Sequence, residues 1–378
     1  MPRRSPQHLY IVGRFPPPLD GQAVATARLA TLIEEKAQVA RVNVGTPEGS
    51  HVEAPGGLRF HRAAHALRLR ARLRQALAAL PEVPVLWPSI SPSPLGHLRD
   101  RLTVVPAFTD RQSIVGVVHR GDFRTLFTSP LTRWSGRQIV ERLAAVVFLT
   151  EALSDACASW IPAAKRVVIP NTISHDVIPD AATVQSKQQE WAVRPPGTPL
   201  HLLYLSAMIP SKGYEHVLSA TALLRDRNVP VQTTFAGRWE SDVAARAFSD
   251  RVRQLDLADC VDVRGGVSRN EAGALHLSAD VLILPTTYPV EAQPLVVIEA
   301  MAAGTPVIVT RHAGLPEMVT ENREGRFVAP ASPAEIADAA LRLRSNWVAF
   351  SLAARQRFEL AYSPDVVRRQ WLQLLDTL

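Results

Sequence analysis

Two glutamates eight residues apart, Glu291 and Glu299, stand in the run Pro285-Thr-Thr-Tyr-Pro-Val-Glu-Ala-Gln-Pro-Leu-Val-Val-Ile-Glu-Ala-Met-Ala-Ala-Gly304. The first precedes a helical pattern and the second lies inside it, about 7–8 Å along the axis. A helix start offers unbonded N–H groups and the positive end of a dipole, a ready anion site. An anion cradle with a hydroxyl-binding carboxylate on each side suits a sugar joined through a diphosphate to a ribonucleoside. The same pair also reads as a solvated loop glutamate and a capping helix glutamate. Lys212, one of four lysines, falls in Ser206-Ala-Met-Ile-Pro-Ser-Lys-Gly213 at a strand-to-helix turn. An ammonium there opposes the helix dipole but suits a diphosphate.

The elements around these residues alternate. Ala279-Asp-Val-Leu-Ile-Leu-Pro285 and Thr305-Pro-Val-Ile-Val-Thr310 read as strands buried on both faces of a parallel sheet. Between them Pro294 suits the first helical position, Leu295 to Ala303 reads as helix and Gly304 as its stop. Strand patterns recur at 8–12, 39–44, 84–87, 113–119, 144–149 and 165–170, then at 200–205, 231–236 and 261–264. The sequence between Asn171 and Pro199 loses the pattern and reads as a linker. Two doubly wound units facing each other across a cleft follow, with boundaries near 1–180 and 195–359. More turns at strand ends carry polar or glycine-rich sequence: Pro16-Pro-Pro-Leu-Asp-Gly21, His119-Arg-Gly-Asp, Phe235-Ala-Gly-Arg238 and Arg264-Gly-Gly-Val267. The last would form a flat slot for a nucleobase.

The 378 residues carry a net charge of +7, mostly as arginine, yet only 6% are aromatic. No basic and aromatic interleaving points to nucleic acid. No run of about eighteen apolar residues exists, and the amino terminus lacks the apolar core of a signal peptide. Cys157 and Cys260 show no metal spacing and read as reduced thiols of a cytoplasmic protein. With no Asp-x-Asp pair and no His/Cys cluster, neither a metal nor a bound cofactor is expected. The densest basic stretch, 61–80, sets Leu69, Leu73, Ala76, Leu77 and Leu80 on one helical face and arginines on others. It reads as an ordinary surface helix, or as one pressing a cationic face on anionic lipid.

Taken in order, these turns resemble the retaining family-4 glycosyltransferases of GT-B fold. The matching motifs are the Pro-Pro-x-x-Gly turn, the His119 strand end, Val168-Ile-Pro-Asn171, Pro210-Ser-Lys-Gly213, Glu291-x7-Glu299 and Ala313-Gly-Leu-Pro-Glu317. The resemblance covers nearly the whole chain. It implies two Rossmann-like domains, with residues 360–378 returning as a helix to the amino-terminal one. It also implies transfer of a hexosyl group from a UDP- or GDP-linked sugar to a glycan or lipid-linked acceptor, with retention and without metal. Glu299 would take the ribose hydroxyls and Glu291 the transferred hexose. The amides of Gln293, Leu295 and Val296 would hold phosphate or sugar oxygens, and Lys212 the leaving diphosphate. Val267 would border the base, while Gly21 and His119 would approach from the first domain. Three positions depart from the family pattern. Ala207 stands where the family often has Arg, leaving Arg238 and Arg120 as candidates for a second cation. Asp20 stands for a second glycine, and Thr172 for the Gly after Pro-Asn. A catalytically silent nucleotide-sugar binder, or a GT-B epimerase or phosphorylase, stays open as an alternative.

Overall fold

The computed structural model describes residues 8–17, 21–45, 58–80, 82–88 and 90–378. The chain divides into two compact units, residues 1–171 with 367–378, and residues 172–366.

In the first unit six parallel strands run β1 (His8–Gly13), β2 (Gln38–Asn43), β3 (Val85–Trp87), β4 (Ile114–Val118), β5 (Ala145–Phe148) and β6 (Arg166–Val168). Their spatial order is β2-β1-β3-β4-β5-β6. Helices α1 (Gly21–Glu34), α2 (Leu58–Ala78), α3 (Pro94–Thr103), α4 (Thr125–Thr128), α5 (Arg133–Arg142) and α6 (Glu151–Asp155) connect them. Ile114-Val-Gly-Val-Val118 is apolar throughout because both faces of its strand are covered. Right-handed crossovers send α1 to one face and α2, α3 and α5 to the other, since the chain reverses direction across the sheet after β2.

The second unit holds β7 (Leu200–Leu205), β8 (Val231–Ala236), β9 (Val261–Gly265), β10 (Val281–Leu284), β11 (Val307–Thr310) and β12 (Gly325–Val328). These strands are also parallel, in the order β12-β11-β10-β7-β8-β9. Its helices are α7 (Ala181–Ala192), α8 (Tyr214–Asp226), α9 (Asp242–Gln254), α10 (Arg269–Ser278), α11 (Leu295–Ala302), α12 (Leu315–Met318), α13 (Pro333–Ser345) and α14 (Trp347–Arg357). From β7 the sheet grows one way through β8 and β9. The chain then crosses by α10 to β10 and grows the other way, so the direction switches between β7 and β10. Open α/β sheets bind ligands at the carboxyl edge of that switch.

The last helix, α15 (Pro364–Asp376), returns to the first unit, where Val367, Trp371, Leu374 and Leu375 pack with Leu29, Ile33, Leu9 and Ile11. Two sequence expectations change, and one strand, β12, was not anticipated. The segment read as a linker contains α7, capped by Asp180, which accepts from Thr183 N–H at 2.7 Å. Its polarity misleads because only one side packs: Val184 is buried and Trp191 stacks on Trp347 at 4.6 Å. Strand β12 is an edge strand of mixed burial that carries no apolar run. Pro294 is the N-cap of α11 rather than its first helical residue. Among the described residues no helix is long and apolar enough to cross a membrane.

Candidate functional site

The carboxyl ends of β7 and β10 bring Lys212 and Glu291 together. Lys212 is the last residue of a short 3₁₀ turn, Pro210–Lys212, which Gly213 caps in the left-handed region at φ +85°. A Cβ on Gly213 would lie 2.7 Å from Pro285 Cγ and 2.8 Å from Pro285 O, so only glycine lets the two loops meet. Thr287 N–H donates to Ser211 O at 2.7 Å and fastens them. The buried Lys212 ammonium donates to Glu291 Oε2 and sits 4.8 Å from the Tyr288 ring centre. Thr286 Oγ1 lies 3.4 Å from the same carboxylate oxygen. Glu291 is itself held by its N–H, which donates to Tyr288 O at 3.0 Å. His312 Nε2 lies 2.8 Å from that carbonyl, and Gly314 N–H donates to Ala292 O at 2.9 Å.

Two helices present their amino ends at this switch, α8 and α11. Neither has a side-chain cap, whereas α7, α9, α10 and α13 are capped by Asp180, Ser241, Ser268 and Ser332. The first-turn amides of Leu295 and Val296 therefore have no carbonyl within the helix and no capping side chain to bond. An anion would satisfy them. Gln293, beside them, is buried. Further into α11, Glu299 is half-buried, with Oε2 3.7 Å from Nε2 of the buried His276 on α10.

The neighbouring strands add the next loops in order. Gly237, at φ +153°, presses against Ser206 O with no room for a Cβ. Arg238 is exposed, and its Cγ would touch a Cβ placed on Gly266 at 3.1 Å, which brings the loops after β8 and β9 side by side. Val267 is half-buried at the end of that second loop. Among the described residues no group of three or more His, Cys, Asp or Glu side chains is arranged to hold a metal ion.

Residues 185–359 match the family described as glycosyl transferases group 1. Over those residues the chain matches the group 1 glycosyltransferases, and its two sheets have the GT-B fold. It is 28% identical over 189 residues to the amylovoran biosynthesis glycosyltransferase AmsK of Erwinia amylovora, covering 48% of this chain and 45% of that one. It is 29% identical over 241 residues to the GDP-mannose-dependent alpha-(1-6)-phosphatidylinositol monomannoside mannosyltransferase of Mycobacterium tuberculosis H37Rv, covering 60% of each. The chain thus spans about half the length of the curated relatives it matches. The crystal structure of Anabaena HepE in complex with UDP-glucose superposes with a TM-score of 0.69 at 15% identity, covering 98% of this chain and 100% of that one. At that identity the likeness is one of fold.

Within the second unit, Lys212, Glu291, Gln293, Leu295, Val296, Glu299, Arg238 and Val267 all stand on the carboxyl-edge loops or on the helix that follows β10. His119, Arg120 and Gly21 belong to the first unit. Arg120 is engaged by Asp122, at 2.8 and 2.6 Å. Gly21 opens α1, and Asp20 lies outside the described residues. Thr172 is buried and donates to Tyr362 O at 2.7 Å, a link a glycine could not make. Sequence reasoning missed Tyr288, Thr286 and His276. The first two lie inside the Pro285–Glu291 turn and could have been found there; His276 meets Glu299 only through the α10–α11 packing.

Proposed function

We propose that the chain is a retaining hexosyltransferase that uses a UDP- or GDP-linked sugar, needs no metal and acts in glycan or glycoconjugate synthesis. The observation that carries this reading is the Lys212–Glu291 pair set between the uncapped amino ends of α8 and α11. HepE binds UDP-glucose in its crystal structure, the mycobacterial relative is named for its dependence on GDP-mannose, and AmsK is named for amylovoran biosynthesis.

In this reading the donor diphosphate lies against the amides of Leu295 and Val296, with Gln293 at its edge. Lys212 turns from Glu291 alone to a charge shared with the diphosphate, and Arg238 supplies the cation that Ala207 does not. Glu299 accepts from the ribose hydroxyls and Val267 borders the base. Glu291 faces the hexose and steadies positive charge at its anomeric carbon, Gly21 helps bind the donor, and His119 serves the sugar's C6 side and the acceptor. The bond from C1 to the diphosphate oxygen breaks as the acceptor hydroxyl oxygen attacks C1 from the same face. Its proton passes to the departing phosphate oxygen. Negative charge grows on the diphosphate, where an ammonium and helix amides are already aimed, each worth about 3 kcal/mol in such sites. The acceptor is a glycan or lipid-linked glycan, and peripheral membrane contact of the Arg-rich helix at the cytoplasmic face belongs to the same reading.

A thermal-shift panel of UDP, GDP, ADP and their sugars tests it. The wild type should be stabilised by one nucleotide class, and Lys212→Ala and Glu299→Ala should lose most of that shift. Product NMR should show the donor's anomeric configuration, and chelator should leave the rate unchanged. Variants that respond like the wild type would refute the site.

A further inference from the structure

The helical layer of α3 and α5 leaves large apolar side chains in water. Leu95, Leu98, Leu102, Leu131 and Trp134 are each more than half exposed, Leu95 at 83% and Trp134 at 69%. On α3 the leucines fall at i, i+3 and i+7, one face of the helix, while His97, Asp100 and Thr103 on the opposite side are buried. Alongside, His97 Nε2 lies 2.7 Å from Ser135 Oγ, and Arg101 donates to Gln138 Oε1 at 2.8 Å. Both links run in the same direction along the two helices. The helices are therefore side by side and parallel, and Trp134 comes level with the start of the leucine face. Packed helix axes lie about 8–10 Å apart, within the reach of an indole. Surface leucines scattered singly would mean nothing; a contiguous patch has a partner.

The rim is basic. Arg101 flanks the leucine face on the α5 side, and Arg133 and Arg137 are exposed on α5 with no acid partner among the described residues. Arg99, on the other flank, is paired with Asp100 at 2.6 Å, and Glu141 is the exposed acid of α5. Helix α2 packs beside α3 and exposes Arg68, Arg72 and Arg74. Its leucines Leu69, Leu73 and Leu77 are buried in the first unit and do not face lipid.

We propose that the α3–α5 face is a membrane-docking surface for anionic lipid. Its leucines and Trp134 enter the boundary between headgroups and acyl chains, and the arginines of α2, α3 and α5 contact headgroup phosphates. Tryptophan suits that boundary with an apolar body and one N–H, and arginine keeps its head in the polar layer while its stem lies along apolar surface. A second copy of the chain is the poorer occupant, because a two-fold contact here would set like-charged arginines against each other. The inference rests on the proposed function only for the lipid-linked acceptor it would serve; docking itself needs no transfer.

Flotation of the full chain with vesicles of phosphatidylethanolamine and phosphatidylglycerol, against phosphatidylcholine alone, tests it. The protein should float with the anionic vesicles, less at high salt but not zero. Leu98→Glu with Trp134→Glu should lower partitioning about tenfold or more, and Leu98→Ala with Trp134→Ala should lower it without adding charge. Both pairs should nearly keep the wild-type melting temperature and keep the nucleotide shift, since these side chains are more than half exposed and lie outside the donor-site residues. No flotation, flotation unchanged in both pairs, or a dimer that the pairs convert to monomer in sedimentation would overturn the proposal. A missing nucleotide shift with intact flotation would instead strike the proposed function and leave the docking surface standing.

Discussion

His119 ends β4 with both ring nitrogens shut off from water and unpartnered among the described residues. Burial pushes its pKa from 6.5 down to about 4, so the imidazole is neutral near pH 7. A buried unpaired nitrogen costs about 1–3 kcal/mol. The pH consequence has a definite sign. Between about pH 6.5 and 4 the unfolded chain binds this proton and the folded chain does not. The stabilisation is present above pH 6.5 and is lost as pH falls through 4, at most about 3 kcal/mol. Asp100 acts oppositely: burial raises it to about 6 against the pull of Arg99, so its contribution is present below its unfolded pKa and is lost as pH rises through 6. Because the two partly cancel, His119→Asn must be compared with the wild type by urea midpoints at pH 7 and pH 4. The variant should lose about 2–3 kcal/mol less over that interval, and equal losses would mean that the ring is not desolvated. Lys212 and Glu291 could be picked out in the sequence because each sits in a short turn after an apolar strand, and Glu299 because it falls on the helix that follows the second turn. That Lys212 and Glu291 touch was not, since the contact spans β7 and β10.

The βα turns decide the site more than any single side chain does. Gly213 and Gly197 share the same backbone angle, φ +85°, yet Gly197 has nothing within 4 Å of its missing Cβ, whereas Gly213 faces Pro285. Alanine at either position bears the left-handed strain, about 1–2 kcal/mol. At position 213 it must also push apart the loops after β7 and β10, which carry Lys212 and Glu291. Gly213→Ala should therefore erase most of the nucleotide-induced thermal shift, while Gly197→Ala lowers the melting temperature and keeps that shift. Equal loss in both would show that the close approach to Pro285 does not matter. The strands around these turns were readable because a strand covered on both faces must be apolar throughout, as in Val281-Leu-Ile-Leu284. Helix α7 was not. Its anchor is one stacked tryptophan and Lys187, which donates to Thr305 Oγ1 at 2.6 Å and to His276 O at 3.1 Å, contacts that leave no periodic mark.

At the scale of the whole molecule the two doubly wound units differ in how the chain builds them. The second is continuous from 172 to 366, while the first is completed only by residues 367–378. The alternation of strands and helices announced both sheets, but which sheet the last helix joins is a tertiary fact that sequence periodicity does not carry; only the family resemblance suggested it. Its physical basis is now visible: Trp371 is buried among the side chains of α1, β1 and α15, and Arg368 pairs with Glu35 after α1. Trp371→Ala should cost the first unit about 3–5 kcal/mol, as large-to-small changes in a packed core do. The donor residues of the second unit lie on β7 to α11, outside that core. Calorimetry should therefore show a lowered transition, while the stabilisation that nucleotide confers stays as large as in the wild type. If Trp371→Ala abolished the nucleotide response as fully as Lys212→Ala does, the donor site would depend on the first unit's core, and the assignment of donor binding mainly to the second unit would fall.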